Sequence, residues 1–404
     1  MSKRWNRAET WLALVAAGIG LLIAAIAGLH AYMTATASPV HPDAHAVPST
    51  AGVVPPAEWT PAVGRGRALL REQMIEHNLP GVSVAVGLGD ALVWSEGFGW
   101  ADLDRRVPVT PDTVFRIGTA STVLTSAAAG LLLERGALRL DADIRTYVPD
   151  FPEKPWPVTL QQVMAHVAGL RSDGGDESPL FGESCRRARD ALAHVAGRDL
   201  QFEPGTRYHY SRYGWIVVSA AIEAAAGEAL PPFMREAVFD PLQMAHTRTD
   251  REARAGRATS YFPRYAADPR YGLDPMRPID TSCYSGAGTF VSTPPDLVRF
   301  GLAMANDTLL QRETTARLQT SQRLADGTET GYGLGWDLET ITLSGEPVPV
   351  VGYDGDLLGG MVASLLVVPD RGIVVAVTSN TSYADTAAIA AAVAEAFAGY
   401  RRSS

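Results

Sequence analysis

The chain has 404 residues, 46% of them hydrophobic, with a formal net charge of −9 and a pI near 5.4. That apolar content supplies a large buried core and excludes a disordered chain. The acidic balance, with no dense Lys/Arg run, excludes a nucleic-acid surface.

Lys3, Arg4 and Arg7 precede an uncharged stretch, Thr10 to Leu29, about as long as a bilayer core requires. Positive charge on its N-terminal side predicts a cytoplasmic start and a transmembrane anchor over 1–33, with the rest of the chain periplasmic or extracellular. The alternative is secretion after signal cleavage near Ala37, at Ala35-Thr36-Ala37, although the apolar segment exceeds a usual signal core. Residues 34–56 contain Pro39, Pro42, Pro48, Pro55 and Pro56 and read as a linker without periodicity. His41 and His45 would share a helix face there, but the prolines forbid the helix, so both are expected in solvent and no metal site is expected. Cys185 and Cys283 are the only cysteines; export would permit them to pair, and their spacing leaves the question open.

From residue 57 to 404 the pattern is that of one globular domain. Helical spacing over Arg65 to Asn78 ends at Pro80-Gly81, and two apolar runs, Val82 to Leu88 and Ala91 to Ser95, flank the hairpin turn Gly89-Asp90. Near the other end, Met361 to Val368 and Ile373 to Ser379 flank Pro369-Asp370-Arg371-Gly372, and an alanine-rich helix follows over Asp385 to Phe397. The predicted architecture is α+β: one antiparallel sheet drawn from both chain ends, flanked by helices, with a helical region inserted between about Ser126 and Arg317. Between Phe115 and Thr125 a strand end turns through Gly118 into an apolar helix, whose N-terminus would favour a developing oxyanion.

Several stretches carry a family resemblance in a fixed order. They are Phe115 to Thr125, Gln162 to Leu170, Phe202 to Thr206 ahead of Tyr208-His209-Tyr210-Ser211, Gly286 to Thr293, and Gly331-Tyr332-Gly333-Leu334-Gly335-Trp336. Over about residues 62–399 the chain resembles the serine β-lactamase and penicillin-binding-protein family, nearest the mitochondrial serine β-lactamase-like branch. The resemblance implies a β-lactamase/transpeptidase-like fold and three active-site motifs. The first, Ser-x-x-Lys, falls on Thr119 and Thr122, so the nucleophile position holds a hindered hydroxyl and the position of the lysine base holds a group that accepts no proton at neutral pH. The second falls on Tyr210-Ser211-Arg212, where Tyr210 would shuttle a proton if cations lowered its pKa from about 10. The third, a Lys/His-Thr/Ser-Gly motif, falls on Tyr353-Asp354-Gly355, and Asp354 is expected to carry negative charge towards the substrate site.

No other residue in the sequence replaces the base. Lys154, the only lysine beyond the apolar segment, lies in a proline-rich loop expected at the surface. His166 is expected to be a structural hydrogen-bonding residue, and His209 alternates with Tyr210 and would face away from it on a strand. Arginine cannot deprotonate, which removes Arg116 and Arg212. No cofactor is expected, and the partner is an unknown ligand or protein in the cleft. Two readings remain: a membrane-anchored, catalytically impaired pseudoenzyme that binds or scaffolds, or an active esterase, amidase or peptidase using Thr119 with Tyr210.

Overall fold

A computed structural model describes residues 7–172, 179–253, 256–265, 268–357 and 359–399. Lys3 and Arg4 of the basic start, and residues 400–404 of the domain, lie outside them. Helix α1 (Arg7–Thr36) exposes its side chains on every side from Thr10 to Tyr32, and its 27-residue stretch Thr10–Thr36 is long and apolar enough to cross a membrane.

The segment expected as a linker is partly built into the domain. Asp43 accepts the amides of His45 and Ala46 and starts a short turn over Ala44–Ala46. Strand β1 (Ser49–Ala51) then pairs antiparallel with β3 (Ala91–Asp102). His45 is exposed as expected, but His41 is only 3% exposed, with Nε2 3.3 Å from the Pro80 carbonyl oxygen. The open edge of β3 makes this short strand, so local composition could not announce it.

Helix α2 (Thr60–Glu76), β2 (Gly81–Leu88) and β3 form the N-terminal unit. Gly89, with φ +65°, gives the β2–β3 turn its left-handed backbone. At the other end β10 (Asp337–Leu343), β11 (Glu346–Asp356), β12 (Val362–Val368) and β13 (Ile373–Ser379) precede α10 (Thr386–Ala396), whose first turn is capped by Asp385. All pair antiparallel in the order β1-β3-β2-β13-β12-β11-β10, with β4 (Val107–Pro108) also against β3. Val84 opposite Val377 joins the two chain ends. Helices α2 and α10 cover one face of the sheet and α8 (Pro294–Ala305) the other, so β2 is buried along its whole length.

Between the two halves lie α3 (Ser121–Glu134), α4 (Leu160–Met164), α5 (Leu192–Val195), α6 (Arg212–Ala226) and α7 (Leu230–Met234), with α9 (Arg312–Leu318) after α8. A three-stranded sheet, β5 (Phe115–Arg116), β9 (Phe290–Ser292) and β6 (Arg248–Thr249), and a ribbon of β7 (Tyr261–Pro263) with β8 (Leu273–Pro275), complete the fold. Cys185 and Cys283 form a disulfide with their Cα atoms 4.8 Å apart.

Candidate active-site cleft

Strand β5 leads through Gly118, at φ +51°, into a 3-10 turn over Gly118–Ala120 and then into α3. Thr119 sits in that turn, 4% exposed, and Thr122 lies in the first turn of α3, 1% exposed. Strand β11 runs against the turn because Gly355 has no side chain: a Cβ there would overlap the Ile117 carbonyl oxygen and stand 2.5 Å from the Ala120 nitrogen. The Thr119 hydroxyl donates to the Asp356 carbonyl oxygen at 3.3 Å. A backbone carbonyl cannot accept that proton chemically, so the bond does not activate Thr119.

Tyr210 and Ser211 lead into α6, without the strand that would have turned His209 away. Ser211 caps α6: its hydroxyl accepts the Gly214 amide at 3.2 Å and donates to the Arg171 carbonyl at 2.9 Å. Its own amide donates to His166 Nδ1 at 3.1 Å. His166, at φ +60°, is buried, and burial pushes its pKa down to about 3. It is therefore a neutral imidazole with Nδ1 as acceptor, which leaves the proton on Nε2. Arg212 opens α6 and places its charge near the Tyr210 phenol.

Thr119, Tyr210 and Tyr353 converge, since the Tyr210 hydroxyl lies within interaction range of the other two. Desolvation of that hydroxyl raises the Tyr210 pKa, outweighing the downward pulls of Tyr353, Arg212 and Thr119. Tyr353 is itself buried, and burial holds its phenol well above the ordinary value. Tyr208, Tyr210, Tyr332 and His166 pack beside it, with ring centroids of His166 4.7 Å from Tyr210 and from Tyr332, and of Tyr332 6.3 Å from Tyr353. His166 Nε2 and the hydroxyls of Tyr332 and Tyr353 are buried without a well-formed hydrogen bond.

Asp354 departs from expectation. It alternates with Tyr353 on β11, is exposed, and accepts the Ser364 hydroxyl beside a cavity of about 220 Å³ under α10. Its carboxylate therefore faces the α10 side of the sheet. The acid that acts on the tyrosines is Asp337, at the start of β10, whose pKa burial and the neighbouring Asp354 and Glu339 raise to about 7. No motif marks Asp337 in the sequence; only its place just after the Gly331–Trp336 stretch hints at it. Lys154 donates to the carbonyls of Ala196 at 2.7 Å and Arg198 at 2.6 Å, which commits its ammonium to a turn.

A seven-strand antiparallel path, a helical insert and three motif positions meeting at one helix N-terminus define the class of β-lactamase/transpeptidase-like folds. Residues 67–399 match the family model described as beta-lactamase, and the chain belongs to that family. It is similar to the mitochondrial serine beta-lactamase-like protein LACTB of Homo sapiens, at 28% identity over 311 residues. That match covers 60% of this chain and 56% of LACTB, so the chain spans little more than half of that relative. Penicillin-binding protein 4 of Amycolatopsis lactamdurans is 28% identical over 327 residues, 76% of this chain and 82% of that protein. Among solved structures, the octameric penicillin-binding protein homologue from Pyrococcus abyssi gives a TM-score of 0.71 at 23% identity, over 84% of this chain and 78% of that one. D-amino acid amidase from Ochrobactrum anthropi SV3 gives 0.70 at 22% identity, over 83% and 98%. These structural likenesses speak for the fold alone.

Proposed function

We propose that the chain is a membrane-anchored, exported member of this family whose old catalytic cleft does not acylate and serves as a binding or scaffolding module. One observation carries the reading: every position that should handle a proton or a charge holds a neutral hydroxyl. Thr122 stands where the lysine base belongs, Tyr353 where the cation belongs, and desolvation of the hydroxyls raises the pKa of both Tyr353 and Tyr210, so their phenols stay protonated. A threonine nucleophile needs a base within hydrogen-bond reach, and His166 is spent on Ser211. The buried hydroxyls of Tyr332 and Tyr353, which interact only loosely with each other and with Tyr210, support a polar ligand contact in the same place.

The contact between Thr119 and Tyr210 favours the hydrolase reading, and one experiment separates the two. After incubation with a fluorescent penicillin and a fluorophosphonate, intact-mass spectrometry of the wild-type protein should show no adduct. A stoichiometric adduct that is lost in Thr119→Ala but kept in Ser121→Ala would establish the hydrolase. Anchoring rests on α1, whose length and composition a signal sequence shares. Protein isolated from membranes should retain α1; a mature N-terminus at Ser38 would show that the segment is removed.

A further inference from the structure

Arg116, three residues before Thr119, is a buried guanidinium bound by two hydrogen bonds to Asp250, Nε to Oδ1 at 3.1 Å and Nη2 to Oδ2 at 3.0 Å. Arg257 pairs with the same carboxylate through Nη1. Among the described residues, Asp250 is the one carboxylate that meets both guanidinium groups, and Arg116 also donates to the carbonyls of Gly359 and Ile279. Burial and the nearby Arg116 lower Arg257 to about 10, so it stays charged at neutral pH. A structural ion pair needs only one of these arginines.

Arg116 and Arg257 line a pocket of about 440 Å³, together with the exposed Arg105 and Arg277. The carboxylate on its wall, Asp102, is already engaged by the Arg105 amide at 2.8 Å and the Thr259 hydroxyl at 2.9 Å. Among the described residues, four guanidinium groups thus face two carboxylates, in a chain whose formal net charge is −9. The Ser260 hydroxyl also lines the pocket; Ser260 is 7% exposed, and its Oγ has no hydrogen-bond partner, nor does Arg257 Nε. Unsatisfied donors beside surplus positive charge call for an acceptor-rich anion.

We propose that this pocket binds a phosphate-type oxyanion, supplied as free phosphate or as the phosphodiester of an anionic lipid headgroup. Nothing in it depends on the reading of the cleft. Position admits both sources. Arg106, next to Arg105, lines a neighbouring pocket with Ser38 to Pro42, directly after α1. The rings of His30 and Tyr32 near the end of α1 meet those of Tyr271 and Tyr265 at 6.1 and 6.4 Å, on the segment joining β7 to β8.

The test uses the full chain in detergent and follows its unfolding midpoint. Sodium phosphate is titrated against sodium chloride at matched ionic strength, and dihexanoyl-phosphatidylglycerol against dihexanoyl-phosphatidylcholine below micelle formation. A saturable rise with phosphate assigns the site to a soluble anion; one with phosphatidylglycerol alone assigns it to a lipid headgroup. Arg105→Glu with Arg277→Glu, both exposed positions that leave the buried triad intact, should weaken the apparent affinity at least about tenfold. Arg257→Gln should do the same if it folds. No saturable rise with any probe, or an equal rise in the Arg105→Glu/Arg277→Glu variant, overturns the proposal.

Discussion

On the proposed reading, Thr122 and Tyr353 stand where the family's base and cation belong, and desolvation holds the phenols of Tyr353 and Tyr210 above their ordinary pKa. Asp337 is the carboxylate whose charge reaches the tyrosines. Its folded pKa of about 7 lies above the unfolded value of about 3.9, so its stability contribution is present below the lower value and is lost as pH rises to the upper one. Asp337→Asn should therefore stabilise the domain by roughly 1–2 kcal/mol near pH 8, allowing for solvent screening, and by almost nothing near pH 4. Chemical denaturation at the two pH values measures this; an equal gain at both would refute a raised Asp337 pKa. Order and spacing single out Thr119, Tyr210 and Tyr353, and these three side chains lie together in the fold. Asp337 is not singled out, because its effect arises from burial and strand register, and neither leaves a local signature. Asp354 was misread for a related reason: a motif match fixes position along a strand, while alternation of faces decides which side receives the charge.

At the scale of elements, the site depends on β11 lying against the turn that precedes α3. Gly355 permits that contact, since any Cβ collides with the backbone at Ile117 and Ala120. Gly355→Ala should cost about 1–3 kcal/mol, as expected for forced overpacking. Urea unfolding would measure it, and a variant as stable as wild type would show that β11 is not pressed on the turn. Both terminal hairpins could be read from the sequence, because their two- and four-residue turns carry glycines that the backbone uses at positive φ, Gly89 and Gly372. Strand β1 could not, because it exists only through the edge of β3. The same holds for Ser211, placed by its motif in the cleft but spending its hydroxyl on the cap of α6.

Over the whole molecule, the apolar patterns at the two chain ends imply a shared sheet, and Val84 opposite Val377 is where they meet. The disulfide between Cys185 and Cys283 joins positions 98 apart in sequence, a pairing that spacing left open and the folded insert brings together. The chain therefore has the family's fold, and the proposed reading is that the reacting groups within it are replaced. The most direct measurement of that replacement restores the groups in the same frame. Thr119→Ser with Thr122→Lys and Tyr353→His returns a less hindered nucleophile, a base one helical turn away and an imidazole at the cation position, and Asp354 needs no change because it faces the other side of the sheet. Intact-mass spectrometry with a penicillin and a fluorophosphonate should find an adduct at position 119 in the triple variant and little in Thr119→Ser alone, because groups that act as a unit are not additive. A folded triple variant that stays inert, or full acylation from Thr119→Ser alone, would contradict an intact frame with replaced reacting groups.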